Sequence, residues 1–122
     1  MGRSYIFTGD KIDEVVTKAT VGNFALGYSQ ENIFVVKYVG RADLDINQAL
    51  KSFLPKHYKR FKFSYAESTK IAFETECRHF HEFGGIEKLD NHLHPKPPEN
   101  SGWTCAYCNA LHQNQLRKTK KL

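Results

Sequence analysis

Three cysteines and six histidines are the side chains of this 122-residue chain with the most chemistry to offer, and their spacing selects metal binding. Cys77 and His81 stand four positions apart in a run that reads as helix, so their side chains meet on one face. Cys105 and Cys108 have the two-residue gap of a zinc knuckle. Together the four make a complete Cys3His tetrahedral shell that uses every cysteine and leaves no position for water, the pattern of structural rather than catalytic Zn2+. His92, His94 or His112 can replace His81 as the fourth ligand, whereas His79 projects from a different side of the helix. The competing reading makes Cys77 a small buried hydrophobe and Cys105 with Cys108 a reduced pair. A redox role for the Cys-x-x-Cys pair has less support, because no strand precedes it and no helix N-terminus is evident to lower a thiol pKa.

Several elements must position these groups. Lys11 to Lys18 carries Ile12, Val15 and Val16 at helical spacing. Two β-rich runs, Phe24 to Tyr28 and Ile33 to Tyr38, flank Ser29, Gln30, Glu31 and Asn32, which have turn chemistry, so an antiparallel hairpin is expected. Asp43 or Asp45 then caps a helix whose apolar face is Ile46, Leu50, Phe53 and Leu54, stopped by Pro55. Tyr58 to Tyr65 alternates as a strand, with Phe61, Phe63 and Tyr65 on one side and Arg60, Lys62 and Ser64 on the other. From Ala66 to Phe83 there is neither Gly nor Pro, and Ala72, Phe73, Glu76, Cys77, Phe80 and Phe83 form one stripe of the longest helix. The Asn-, Pro- and Gly-rich segment up to Trp103 cannot fix its own backbone, and the metal is what would hold it.

One domain with an aromatic core suits this length and its nine Phe and six Tyr. A formal charge of +5 and a pI near 9.1 favour an acidic partner, with nucleic acid, DNA or RNA, the leading candidate. Lys51, Lys59, Arg60 and Lys62 form a band that can track a phosphate backbone, with Lys56 and His57 beside it, and Arg117 to Lys121 adds a cationic end. A solvated face that keeps the protein soluble is the other reading of the same band. No base-reading helix motif is present, so binding is expected to be weakly sequence-specific and salt-dependent. No stretch approaches a membrane span, and Met1 to Asp10 has no signal-peptide character, so a cytoplasmic location is expected.

The order of parts resembles the GIY-YIG nuclease domain: a hairpin with Gly22-Asn23-Phe24 on its first strand and Tyr38-Val39-Gly40 on its second, then helix, strand and a long helix bearing Glu76. The resemblance covers about Val21 to Asn91, and the tail through Cys108 looks like that of small members with His-Pro and Cys-x-x-Cys segments. It implies an α+β fold in which helices flank a small three-stranded antiparallel sheet. The division is then an extension with a short helix (1–20), a GIY-YIG-like core (21–91), a zinc-stapled tail (92–110) and a basic flexible end (111–122).

By this resemblance the chain would be a metal-dependent DNA endonuclease hydrolysing phosphodiesters. Tyr38 would position or deprotonate the attacking water, Gly40 would allow close backbone packing, Glu76 would bind Mg2+ or Mn2+, and Asn91 would match the late asparagine of the family. Phe24 stands where the family usually has Tyr; its arginine would fall near Ala49 and its histidine on Phe53. Neither Ala nor Phe can stabilise phosphoryl charge or move a proton, and Arg41 is the group left to reach the phosphate. The alternative is a catalytically inactive module that binds nucleic acid or protein on the same scaffold.

Overall fold

The computed structural model describes residues 1–55 and 57–108; the basic end and His112 lie outside the described residues. Two long strands, β2 (Gly22–Gln30) and β3 (Ile33–Ala42), form the expected hairpin. Its turn is only Glu31 and Asn32, with φ of 52° and 66°. Two successive residues at positive φ match the right-handed strand twist, so pairing continues through Ser29 and Gln30, which were expected in the turn. β4 (Arg60–Tyr65) pairs with the other side of β2. The fourth strand, β1 (Tyr5–Ile6), pairs with β4, so the sheet has the order β1-β4-β2-β3 with every pair antiparallel. The expectation of three strands therefore falls one short, because two residues are too few to show a period of two.

Helices cover both faces. Against one lie α1 (Gly9–Val15), capped by the Thr8 hydroxyl, and α2 (Ile46–Lys51), whose cap Asp45 accepts from the amides of Asn47 and Gln48. Ile12, Val16, Ile46 and Leu50 meet Phe24, Leu26 and Phe61 in the main core. The helical pattern of the sequence runs on to Leu54, but α2 proper ends at Lys51. Phe53 and Leu54 instead make tight three-residue bonds back to Leu50 and Lys51, the form an end takes when Pro55 bars the helical geometry of its predecessor.

The other face carries the long helix α3 (Thr69–Glu82), capped by Ser68, and the single turn α4 (Gly85–Lys88). Ala25, Val39, Phe80 and Leu89 form the core on this side, with Phe34 and Val36 packed against it. Strict alternation would put Val36 and Val39 on opposite faces. A bulge resolves this: Leu26 pairs with Tyr38 and Gly27 with Val36, which leaves Lys37 as the extra residue. A Cβ on Gly27 would stand 1.9 Å from the Val35 carbonyl oxygen, so the bulge needs glycine there. Beyond it Tyr38 and Gly40 face α2 and Arg41 faces α3, with the tip of the Phe24 ring seated on Gly40. Among the described residues no helix is long and apolar enough to cross a membrane.

Candidate metal centre and polar cluster

Helix α3 presents Cys77, fully buried, and His81 one turn further on. After α4 the chain runs along β3: the Asp90 amide donates to the Lys37 carbonyl at 2.6 Å, and the Asn91 side chain accepts from the Val39 amide at 3.1 Å and donates to its carbonyl at 2.9 Å. Asn91 thus stands in for one residue of a neighbouring strand. This docking brings His94 over the end of α3, where its ring meets Phe80 edge-on. The segment turns through Asn100 and Gly102, both at positive φ, and Trp103 then stacks on Phe73 and delivers Cys105 to Cys77.

Two triads of ligand atoms result, each with its members within 4.8 Å of one another: Cys77, His94 and Cys105, and His81, His94 and Cys108. Each of the four residues expected from the sequence therefore belongs to one triad, and among the described residues a fifth group, His94, is common to both. These Cys and His groups can hold a metal ion. The His81 and His94 Nε2 atoms are 3.2 Å apart. Two nitrogens bound at about 2.0–2.1 Å to one tetrahedral ion are separated by about 3.3 Å, so the pair has the spacing of one tetrahedral edge. On its far side His94 Nδ1 lies 2.7 Å from the Pro95 carbonyl, which can only accept. That bond places the proton on Nδ1 and leaves the Nε2 lone pair facing the cluster. The Cys108 amide donates to Cys105 Sγ at 3.3 Å, a bond that favours a thiolate.

The electrostatics point the same way. Burial, then Cys105, pushes the Cys77 thiol far above its ordinary pKa, so a thiolate there is costly without a cation. Burial, then His94, lowers the pKa of His81 and keeps its ring in the neutral form that a metal needs. Sequence spacing alone left His94 as one of several substitutes, because what selects it is the path that Asn91 and Pro95 impose on the tail.

A second cluster joins β3 to α3. Arg41 donates from Nη1 to Glu76 Oε1 at 2.6 Å and from Nε to Asp43 Oδ1 at 2.8 Å, and its guanidinium lies 5.3 Å from the centroid of Phe73. The Arg41 and Glu76 side chains are each only 11% exposed. Burial raises the pKa of Glu76, with Arg41 pulling the other way. Tyr38 packs on Phe53 at 4.8 Å and on Phe24 at 6.3 Å; burial and then the Glu76 charge push its phenol pKa up, which makes a phenolate harder to form. Ala49 and Phe53 pack against the main core, as apolar residues do.

The basic band is distributed. Lys51 pairs with Asp13 at 2.5 Å, and Arg60 donates to the Ser4 hydroxyl and carbonyl, both at 2.8 Å. Lys62 lies over the Phe34 ring at 5.2 Å, and Lys59 is exposed. No protein-family model, curated protein or solved structure matches this chain.

Proposed function

We infer that the chain is a nucleic-acid-binding module on a GIY-YIG-like scaffold, with a structural Zn2+ fastening its tail and little or no phosphodiester cleavage of its own. The ion would be held by four of the five groups Cys77, His81, His94, Cys105 and Cys108; mixed thiolate and imidazole donors suit zinc and not the hard cations. The observation that carries the inactive reading is the filling of Glu76. An Mg2+ or Mn2+ bound there would have to displace a charge-assisted bond of 2.6 Å from a guanidinium that also holds Asp43. Loss of one charge-stabilising group commonly costs a factor of about 10² to 10³ in rate, and Ala49 and Phe53 supply none. Tyr38 is a poor base for the same reason that its phenolate is costly.

The test pairs binding with cleavage. Fluorescence anisotropy should show DNA binding that weakens steeply with salt. Supercoiled plasmid with Mg2+ or Mn2+ should be nicked no more by the parent than by Glu76→Ala, and a plasmid nicked by the parent but not by that variant would overturn the inactive reading.

One feature favours the second reading, a slow endonuclease: Glu76 on α3 bonds Arg41, and its charge also reaches Tyr38, both of these on β3. Ala49→Arg with Phe53→His, checked for folding, should then raise cleavage. Under the binding-module reading a folded double variant stays inactive.

A further inference from the structure

Beside Tyr38 a cleft of about 690 Å³ is lined by Tyr38, Phe53, His57, Tyr58, Asp90 and His92, among others, and by none of the clustered Cys and His ligands. Its wall is a row of four rings. Phe53 and Tyr38 have centroids 4.8 Å apart, Tyr38 and Tyr58 6.4 Å, and Tyr58 and His57 5.3 Å, the last pair nearly parallel at 25°. A hollow of about 280 Å³ shares His57, Tyr58 and Asp90 with this cleft and continues it toward Tyr28, Lys37 and Lys59. Lys59 is exposed, and among the described residues Lys37 donates to a neutral partner, the Lys88 carbonyl, so neither is held in an ion pair there. The carboxylate in the cleft, Asp90, already accepts from the Tyr58 hydroxyl at 2.9 Å.

Resting on the nucleic-acid reading above and going beyond it, we propose that this cleft takes an unstacked base of a single-stranded nucleic acid. The backbone of that strand would pass over Lys37 and Lys59. Two features of the cleft favour a single strand over a duplex. A row of rings that continues into lysines matches a polymer whose flat apolar faces alternate with phosphates. In a duplex those faces are stacked on one another and only the phosphates are offered, which would leave the rings without a partner. Asp90 fits the same occupant, since base edges carry amino groups that a carboxylate accepts from, whereas a phosphate in that place would be repelled.

The experiment measures binding of a labelled mixed-sequence strand of about 15 nucleotides, as DNA and as RNA, and of the same DNA as a duplex. Tighter binding of either single strand than of the duplex is expected. Tyr58→Leu should weaken it by roughly 5- to 150-fold, the range for losing one stacked base, while Tyr58→Phe, which keeps the ring, should bind as the parent does. A 2-aminopurine base in the strand should lose fluorescence on binding the parent and less on binding Tyr58→Leu. The exposed Lys59→Gln, which spares the core, should lower the salt slope by about one. Duplex bound as tightly as single strand, with Tyr58→Leu or Lys59→Gln matching the parent, would overturn this proposal and leave the binding module standing. Absence of binding to strand and duplex alike would overturn both.

Discussion

Asn91 performs a task that its residue type permits and its position alone does not reveal. Its amide oxygen and nitrogen satisfy both backbone groups of Val39 in a buried site. Asn91→Ala would leave a donor and an acceptor unpaired at about 1–3 kcal/mol each, so denaturant unfolding should show a loss of roughly 2 kcal/mol or more. A midpoint within error of the parent would mean that water replaces the side chain. Asn91 could be picked out from the sequence through the family resemblance, but its bond to β3 could not, since that depends on a contact across 52 positions of chain. Tyr58 permits a test by pH. Burial, and then the bond to Asp90, raise its pKa above the ordinary 10. A group whose folded pKa is raised contributes stability that is complete below the unfolded value and is lost as pH rises through the folded one. Alkaline difference spectra of the parent minus Tyr58→Phe should therefore place this phenol later than free tyrosine, and titration at the ordinary value would show that the Asp90 bond is not kept in solution.

Among the elements, hairpin, helices and aromatic strand were legible in the sequence because each rests on local signals: alternation in Arg60 to Tyr65, Asp45 as a cap, Pro55 as a stop, and an unbroken apolar stripe in the long helix. The bulge at Lys37 was not, because it answers to the packing of Val36 and Val39 on the same partner surface rather than to any turn residue. Its consequence is chemical, since it aims Arg41 at α3 and makes the ion pair with Glu76 the polar tie between strand and helix. Removing one partner of such a buried pair commonly costs about 3–5 kcal/mol, much of it from the charge left behind, while replacing both with apolar residues is often close to neutral. Arg41→Met should accordingly destabilise by an amount in that range, and adding Glu76→Leu should restore a large part of it. Equal and additive losses in the two single variants and the double would show that the pair is not coupled. The sequence marked Glu76 as a carboxylate beside an apolar stripe and thus in need of a partner; that the partner is Arg41 follows from the register of β3.

At the scale of the molecule, the sheet and its helices form the folded body, and the segment from Asp90 to Cys108 is a strap laid across α3. Its hydrophobic hold is small: Trp103 on Phe73, Pro95 buried, and Cys105 against Cys77. Cysteine spacing pointed to Cys and His side chains that the fold brings within reach of one another, whereas the part played by His94 depends on the route of the chain. Metal binding is folding free energy for such a segment, so removing the ion should loosen the strap and spare the sheet. A glutamyl endopeptidase should then cut at the exposed Glu99 in chelator-treated protein far faster than in untreated protein, with circular dichroism of the body little changed. Equal cutting rates would mean that the strap is held without metal. If thiolates and imidazoles from α3 and the strap close on one tetrahedral ion, zinc-edge X-ray absorption on protein purified without added metal will see that shell. The expected spectrum has sulfur at about 2.3 Å and nitrogen at about 2.0–2.1 Å in a four-coordinate shell, at one zinc per chain. A protein without zinc, or one whose zinc has only oxygen and nitrogen neighbours, would contradict the account.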